Sequence, residues 1–419
     1  MSHFKSEFLN IMLERGFYNQ CTNESGFDQY LYECEQKGTP AVGYLGSDPT
    51  GDSLHVGHIV PLMMMRWFQK CGHKPLTLVG GATARIGDPS GKDKLRPFLS
   101  EETLAHNIEG LKKSFSKFLN FGDGKNDARM VDNWDWFKDI NYLAFLRDIG
   151  TYYSVNRMLT MDSVKSRLDR EQPMSFLEFN YMLLQGYDFC ELYQEYGCRA
   201  QIAGSDQWGN ITSGTELARR KYDVELFGFT SPIITDSAGK KMGKSEGNAV
   251  WINEDKLPAY DYYQYFRNIG DTEVGKCLRI YTDLPIDEIR RLEALKDQEI
   301  NEAKKILAFE ATKICRGLDE AKAAEETAVK TFEQGSIGGE LPTLQKSNVA
   351  GLSLLDAFVE IGFCASKGEV RRLIKQNGIR VNDKAVSDEN YVFSADDLIN
   401  GQIKIAQGKK KFGLIKQAD

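Results

Sequence analysis

The chain has 419 residues, 41% of them apolar and 27% charged, and a net charge of −7; such a length exceeds one compact core and points to two or three domains. The longest apolar runs, such as 59–65 with its internal Pro61, fall far short of the ~20 residues of a membrane span, and the opening MSHFKSEFLN lacks the basic-then-apolar order of a secretory signal. Eight scattered cysteines without a CxxC pair exclude a disulfide scaffold and structural zinc, so a cytoplasmic chain with reduced thiols is expected.

In chain order, residues 41–45 (AVGYL) read as a strand. Residues 54–71 read as a helix, with Val56, Val60, Met63, Met64, Trp67, Phe68 and Cys71 at helical spacing and Ser53 as its N-cap. Strands follow at 76–80 and 128–131, a helix at 178–196, a strand at 199–203, a helix through Arg220 and a candidate last strand at 229–235. Strand-then-helix alternation predicts an α/β, Rossmann-like parallel sheet with ligands at the carboxyl ends of its strands. From about residue 260 to 332 the pattern turns helical, and 335–350 (GSIGGELPTLQKSNVA) reads as a linker. The expected division is a catalytic domain at 1–235, a lysine loop and α-helical domain at 236–334, the linker, and a small α+β domain at 351–419. That last stretch holds eleven Lys/Arg against nine Asp/Glu, net +2, which leaves −9 for the body before it. A mildly basic tail on an acidic body hints at a polyanion-facing module.

Five stretches carry the chemistry. In Asp48-Pro-Thr50-Gly-Asp-Ser-Leu-His55-Val-Gly57-His58 a strand runs into a polar turn and a helix opens. His55 and His58, three apart, share one face at a helix N-terminus, where unpaired N–H groups and the dipole attract phosphate. Gly57 leaves room for a flat group such as an adenine. Residues 80–92 (GGATARIGDPSGK) follow a buried strand; their glycines let backbone approach a ligand, Asp88 can take an ammonium or a hydroxyl, and Lys92 and Arg96 can reach phosphates. Tyr181, Gln185 and Asp188 form one polar stripe on an otherwise apolar helix. A zwitterionic amino acid bearing a phenol would satisfy that stripe, with Asp188 accepting the phenolic proton. Residues 204–210 (GSDQWGN) form a further strand-end turn, where Asp206 and Gln207 could hold ribose hydroxyls or α-groups.

The fifth stretch is 239–248 (GKKMGKSEGN). A Walker A loop ending at Gly243-Lys244-Ser245 requires glycine at 238, where the chain has Ala. A lysine loop that meets ATP during chemistry remains, with Lys241, Lys244 and Ser245 as its active side chains.

Taken together these stretches resemble the class I aminoacyl-tRNA synthetases, and the bacterial-type tyrosyl-tRNA synthetases in particular. His55-Val-Gly-His58 is similar to the first class signature and Lys241-Met-Gly-Lys244-Ser245 to the second; 79–83, 87–91, 184–189 and 204–210 resemble the tyrosyl enzymes. The resemblance implies that Tyr44, Thr83, Asp88, Tyr181, Gln185, Asp188 and Gln207 hold L-tyrosine. Asp48, Thr50, His55, Gly57, His58, Gly204, Asp206 and Lys244 would hold ATP. Lys92, Arg96, Lys241, Lys244 and Ser245 would neutralise departing pyrophosphate. Mg2+ would enter with ATP, with no protein-bound metal. Residues 351–419 resemble an S4-type RNA-binding domain, with Lys367, Arg371, Arg372 and Lys375 facing tRNA, and a homodimer through the catalytic domain is implied. Leu45, Ser47 and Met242 depart from the family pattern, and a cysteine contact toward the ribose is lost at Leu45. The nearest rival is a tryptophanyl synthetase; the Tyr44–Asp188 pair favours a phenol over an indole. A non-catalytic RNA-binding chain is a second rival, against which the intact His55, His58, Lys241 and Lys244 speak.

Overall fold

The computed structural model describes residues 3–90, 98–235, 242–245, 248–332, 341–399, 401–408 and 411–417. The chain divides into two compact units, Met1–Leu318 and Asp319–Asp419.

The first unit is built on a six-stranded sheet: β1 (Gln20–Cys21), β2 (Val42–Ser47), β3 (Lys74–Val79), β4 (Arg129–Asp132), β5 (Ala200–Gly204) and β6 (Phe227–Ser231). Their spatial order is β1-β6-β5-β2-β3-β4. All neighbours pair in parallel except the short edge strand β1, which is antiparallel to β6. The order reverses between β2 and β5, the switch point at which an open α/β sheet offers its ligand crevice. This agrees with the expected Rossmann-like sheet. The strands pack their apolar runs on both faces: Leu76, Leu78, Ile202 and Phe229 are buried.

Two local expectations shift. The last strand was expected at 229–235 but ends at Ser231, because Pro232 has no N–H to continue the ladder. The helix expected over 54–71 runs Val56–Lys70, and its N-cap is His55 rather than Ser53. Ser53 Oγ is used elsewhere: it donates to Leu54 O at 2.9 Å and accepts from Asn253 N at 3.1 Å.

Of the helical stretch expected within 236–334, the helices from Ala259 to Arg316 lie in the same compact unit as the sheet, whereas the chain from Asp319 onward lies in the second unit. Buried Arg15 donates to the carbonyls of Arg279 and Thr282, each at 3.0 Å, and Arg66 grips Asp283 at 2.7 Å. These bonds tie the segment at 279–283 to the N-terminal part of the same unit.

The second unit carries a sheet of β9 (Thr343–Lys346), β10 (Ile379–Val381), β11 (Lys384–Ala385), β12 (Gln402–Gln407) and β13 (Lys411–Gln417), in the order β11-β10-β12-β13-β9; β7 (Lys244–Ser245) and β8 (Asn248–Ala249) form a separate two-stranded pair in the first unit. Helices Leu354–Glu360 and Lys367–Lys375 close a core of Leu354, Phe358, Val370, Ile374, Ile403, Ile405 and Ile415. Each such fully buried side chain contributes about 1.5–3 kcal/mol. Within the stretch read as a linker, residues 343–346 are strand β9, parallel to β13, and 335–340 lie outside the described residues. Among the described residues no helix is long and apolar enough to cross a membrane.

Candidate active site

The helix Val56–Lys70 starts at the carboxyl edge of the sheet, a few residues beyond β2. Its cap is reciprocal: His55 Nδ1 accepts from Gly57 N at 3.1 Å, and His58 Nδ1 accepts from His55 N at 3.2 Å. The two rings lie 3.8 Å apart, tilted by 31°. With both Nδ1 atoms accepting, a neutral ring carries its proton on Nε2, so the donor of each imidazole is its outer nitrogen.

The chain around the lysine loop lies directly on this cap. Val56 N donates to Val250 O at 2.8 Å, Ile252 N donates to Leu54 O at 2.8 Å, and His55 bridges Trp251. Val250 N in turn reaches Gly243 O at 3.2 Å. Gly243 has φ +86°, and a Cβ there would sit 2.8 Å from Gly57 N. Only glycine meets both demands, the left-handed backbone and the close approach. Two signatures separated by about 190 residues of sequence thus share one backbone ladder. Lys244 and Ser245 supply β7; Lys241, Lys92 and Arg96 lie outside the described residues.

The phenol-binding candidates gather at β2 and the helix Phe176–Tyr196. That helix is started by a capping box between Ser175 and Glu178. Tyr44 on β2 is fully buried, and its hydroxyl has no hydrogen-bond partner among the described residues. Burial, and then the nearby Asp188 carboxyl, push the Tyr44 phenol well above its ordinary value. Asp188 is 2% exposed, and its carboxylate accepts from Asn133 Nδ2 at 3.1 Å and Trp136 Nε1 at 2.9 Å. Burial drives the Asp188 carboxyl far above the usual carboxylate range, while these two N–H donors pull the other way. A buried carboxyl beside an orphan hydroxyl is a costly arrangement that a ligand hydroxyl, donating to one and accepting from the other, would relieve.

From Asp188 a chain of bonds leads outward: Asn133 Nδ2 also donates to Thr83 Oγ1 (3.1 Å), Thr83 to Asp48 Oδ1 (2.7 Å), and Tyr181 to Asp48 Oδ2 (3.0 Å). Gly80 permits this approach, since a Cβ there would fall 2.0 Å from Asp48 Oδ1. A second cluster joins Gln185, Gln207, Asp88 and Asp206. Gln207 Nε2 lies 2.9 Å from Asp88 and 3.3 Å from Asp206, and Gln207 Oε1 accepts from Gln185 (3.3 Å) and Asn210 (3.1 Å). Gly204 ends β5 beside Asp206, and Thr50 stands exposed in the turn after Asp48. Leu45 is buried in the core.

Asn133, Trp136 and Asn210 were not singled out from the sequence. The available signal for the first two was their place in VDNWDW, which runs from the last residues of β4 into the following turn, on the strand-end side that offers ligand sites. In the second unit, Lys367, Arg371, Arg372 and Lys375 lie on one short helix and are exposed, but Lys367 pairs with Asp356 at 2.5 Å and Arg371 approaches Glu389 at 3.9 Å. Surface pairs of this kind reduce the charge offered to a polyanion.

A family model described as tRNA synthetases class I (W and Y) matches residues 36–333, and one described as the tyrosine--tRNA ligase SYY-like C-terminal domain matches 332–415. The chain is 52% identical over 415 residues to a tyrosine--tRNA ligase of Rhodospirillum rubrum, covering 98% of each chain. It is 51% identical over 422 residues to that of Nitrobacter winogradskyi, covering the whole of both. Among solved structures, a C-terminally truncated Aspergillus nidulans mitochondrial tyrosyl-tRNA synthetase superposes with TM-score 0.69 at 29% identity, over 78% of this chain and 94% of that one. A tryptophanyl-tRNA synthetase of Encephalitozoon cuniculi bound to tryptophan shares the fold alone, with TM-score 0.52 at 10% identity over 78% of this chain and 90% of that one. By its sequence over the whole length and by its sheet, the chain belongs to the tyrosine--tRNA ligase branch of the class I tRNA synthetases.

Proposed function

We propose that this chain activates L-tyrosine with ATP and transfers the tyrosyl group to the 3′-terminal adenosine of its tRNA. The observation that carries the choice of amino acid is the buried Asp188 carboxyl beside the unpartnered Tyr44 hydroxyl. The phenol of the substrate donates to Asp188 and accepts from Tyr44. Its ammonium is taken by the carboxylates and amides around Asp88, Tyr181, Gln185 and Gln207, with Thr83 beside them.

In the first step the tyrosine carboxylate attacks the α-phosphorus of ATP in line. A carboxylate O–P bond forms, the bond to the bridging oxygen breaks, and pyrophosphate leaves with Mg2+ that entered with ATP. In the second step a ribose hydroxyl of the terminal adenosine attacks the acyl carbon and AMP departs. No side-chain nucleophile takes part, so catalysis rests on positioning and on stabilising phosphate charge. Asp48, Gly57, Gly204 and Asp206 hold the nucleotide. His55 and His58 donate to the phosphates from the helix N-terminus, where Thr50 also faces. Lys92, Arg96, Lys241, Lys244 and Ser245 neutralise the leaving pyrophosphate.

The basic helix with Lys367, Arg371, Arg372 and Lys375 faces tRNA. Two copies pair through the catalytic unit, where Tyr142, Leu143, Val155, Leu159 and Phe176 leave apolar surface exposed; sedimentation across a concentration series checks this. The enzyme works in the cytoplasm. Exchange of labelled pyrophosphate into ATP, run with tyrosine, tryptophan and phenylalanine, tests the reading: exchange with tyrosine alone is expected, and exchange driven by tryptophan, or by none of the three, overturns it.

A further inference from the structure

Asn253 lies ten residues beyond Gly243, is 3% exposed, and uses all of its polar atoms. Its Nδ2 donates to Asp52 O and to Gly110 O, each at 3.0 Å. Its Oδ1 accepts from Ser114 Oγ at 3.0 Å, and its backbone N donates to Ser53 Oγ at 3.1 Å. Ser114, fully buried, also accepts from Leu54 N at 3.2 Å. One side chain therefore fastens three segments: the turn 52–54 that leads into the histidine cap, the helix Glu101–Ser116, and the chain leaving the lysine loop. Gly110 allows the contact, because a Cβ there would fall 1.9 Å from Asp52 O. On the solvent side Asp52 closes the knot with Lys256 at 2.6 Å and His106 at 3.3 Å.

The knot adjoins the ladder that joins the two signatures. Ile252 pairs with Leu54, Trp251 with His55 and Val250 with Val56, and Val250 then pairs with Gly243. We propose that Asn253 is a positioning residue for tyrosine activation, one that holds the chain after Lys244 and Ser245 in register with His55 and His58. It touches no reacting atom. Truncating it removes the donor shared by Asp52 O and Gly110 O and one partner of the Ser114 hydroxyl, and lets the ladder slip; misplacement of about 1 Å at a phosphate-transfer site costs up to ~10²-fold in rate. The tyrosine pocket around Tyr44 and Asp188 is built by other elements, so binding of the amino acid does not depend on the knot.

This inference rests on the reading of His55, His58 and the lysine loop as the ATP side of the site, and the test separates the two. Asn253→Ala is measured by pyrophosphate exchange and by equilibrium dialysis of tyrosine, beside His58→Ala. The expected result is an exchange kcat lowered at least tenfold, with the tyrosine Kd within twofold of the parent. A smaller loss in kcat, or a Kd that rises beyond twofold, overturns the positioning role. If Asn253→Ala does not fold, Ser114→Ala is held to the same criteria at a threefold loss. A crippled His58→Ala beside a full-rate Asn253→Ala rejects the knot alone; a full-rate His58→Ala rejects both.

Discussion

Trp136 Nε1 donates to Asp188 Oδ1 at 2.9 Å, while Asn133 holds the other carboxylate oxygen at 3.1 Å. The carboxylate is thereby fixed in orientation, close to the Tyr44 hydroxyl. Asp188→Asn puts an NH2 donor where one of two carboxyl oxygens accepts from Asn133 or Trp136. The preference for tyrosine over phenylalanine should fall at least tenfold, since an unsatisfied buried partner costs about 1–3 kcal/mol. The ratio of kcat/KM for the two amino acids in pyrophosphate exchange measures it, and an unchanged ratio removes Asp188 from the specificity site.

Gly243 combines φ +86° with a backbone contact to Gly57. Gly243→Ala pays for a left-handed non-glycine residue, about 1–2 kcal/mol, and for the clash. Exchange kcat should drop by about tenfold or more while tyrosine binding, followed by dialysis, stays constant. Equal losses in both would show that the loop supports the tyrosine pocket instead.

Lys244 follows Gly243 in β7. If its charge meets pyrophosphate chiefly as it leaves, Lys244→Ala lowers the activation rate by about 10²-fold or more with little change in the KM for ATP. Pre-steady-state adenylate formation at varied ATP separates the two parameters. A KM that rises as far as kcat falls would assign the lysine to ground-state binding.

Arg167 and Glu178 form a buried pair at 2.7 Å at the start of the helix that carries Tyr181, Gln185 and Asp188. Burial alone pushes the Glu178 carboxyl up, but the Ser175 N–H, Arg167 and the Ser175 hydroxyl outweigh it and hold the carboxyl below its ordinary value of 4.5. A depressed folded value means that this stability is present above the unfolded value and is lost as pH falls through the folded one. Thermal melts should therefore show a component that weakens below about pH 4.5 in the parent. Glu178→Gln should lack that component, and Arg167→Ala should lose about 3–5 kcal/mol at neutral pH because it leaves a buried carboxylate unpaired. A parent and Glu178→Gln with the same acid limb would refute the assignment.

Arg372 and Lys375 sit in the last turn of the basic helix, exposed to solvent. Replacing both by Ala should raise the KM for tRNA several-fold, lower the salt dependence of tRNA binding by about one unit of slope per lost phosphate contact, and leave pyrophosphate exchange at the parent rate. Loss of exchange in this variant would argue against a tRNA role confined to the second unit.

The α/β alternation, the histidine pair at a helix start, the polar stripe of Tyr181, Gln185 and Asp188, and the missing Walker glycine at 238 were legible because each is a short-range pattern. Helical and strand periodicities and loop spacings repeat within a few residues, and the order of the motifs along the chain carried the family resemblance. The N-cap was misassigned to Ser53 for the same reason. Ser53 is the better local cap residue, yet Asn253, 200 residues later, takes its hydroxyl as an acceptor, and His55 caps instead.

The sequence by itself thus determined which residues carry charge, hydrogen bonds and backbone freedom, and that two phosphate-facing stretches stand far apart in the chain. Only the tertiary structure decided their partners. It put Gly243 on Gly57, gave Asp188 to Asn133 and Trp136, and set Asp48 between Thr83 and Tyr181. These partners are 35 to 186 residues apart. Such pairings follow from the strand order β5-β2-β3-β4, which brings strand ends together in space irrespective of their separation in the chain, and no periodicity within a single element encodes that order.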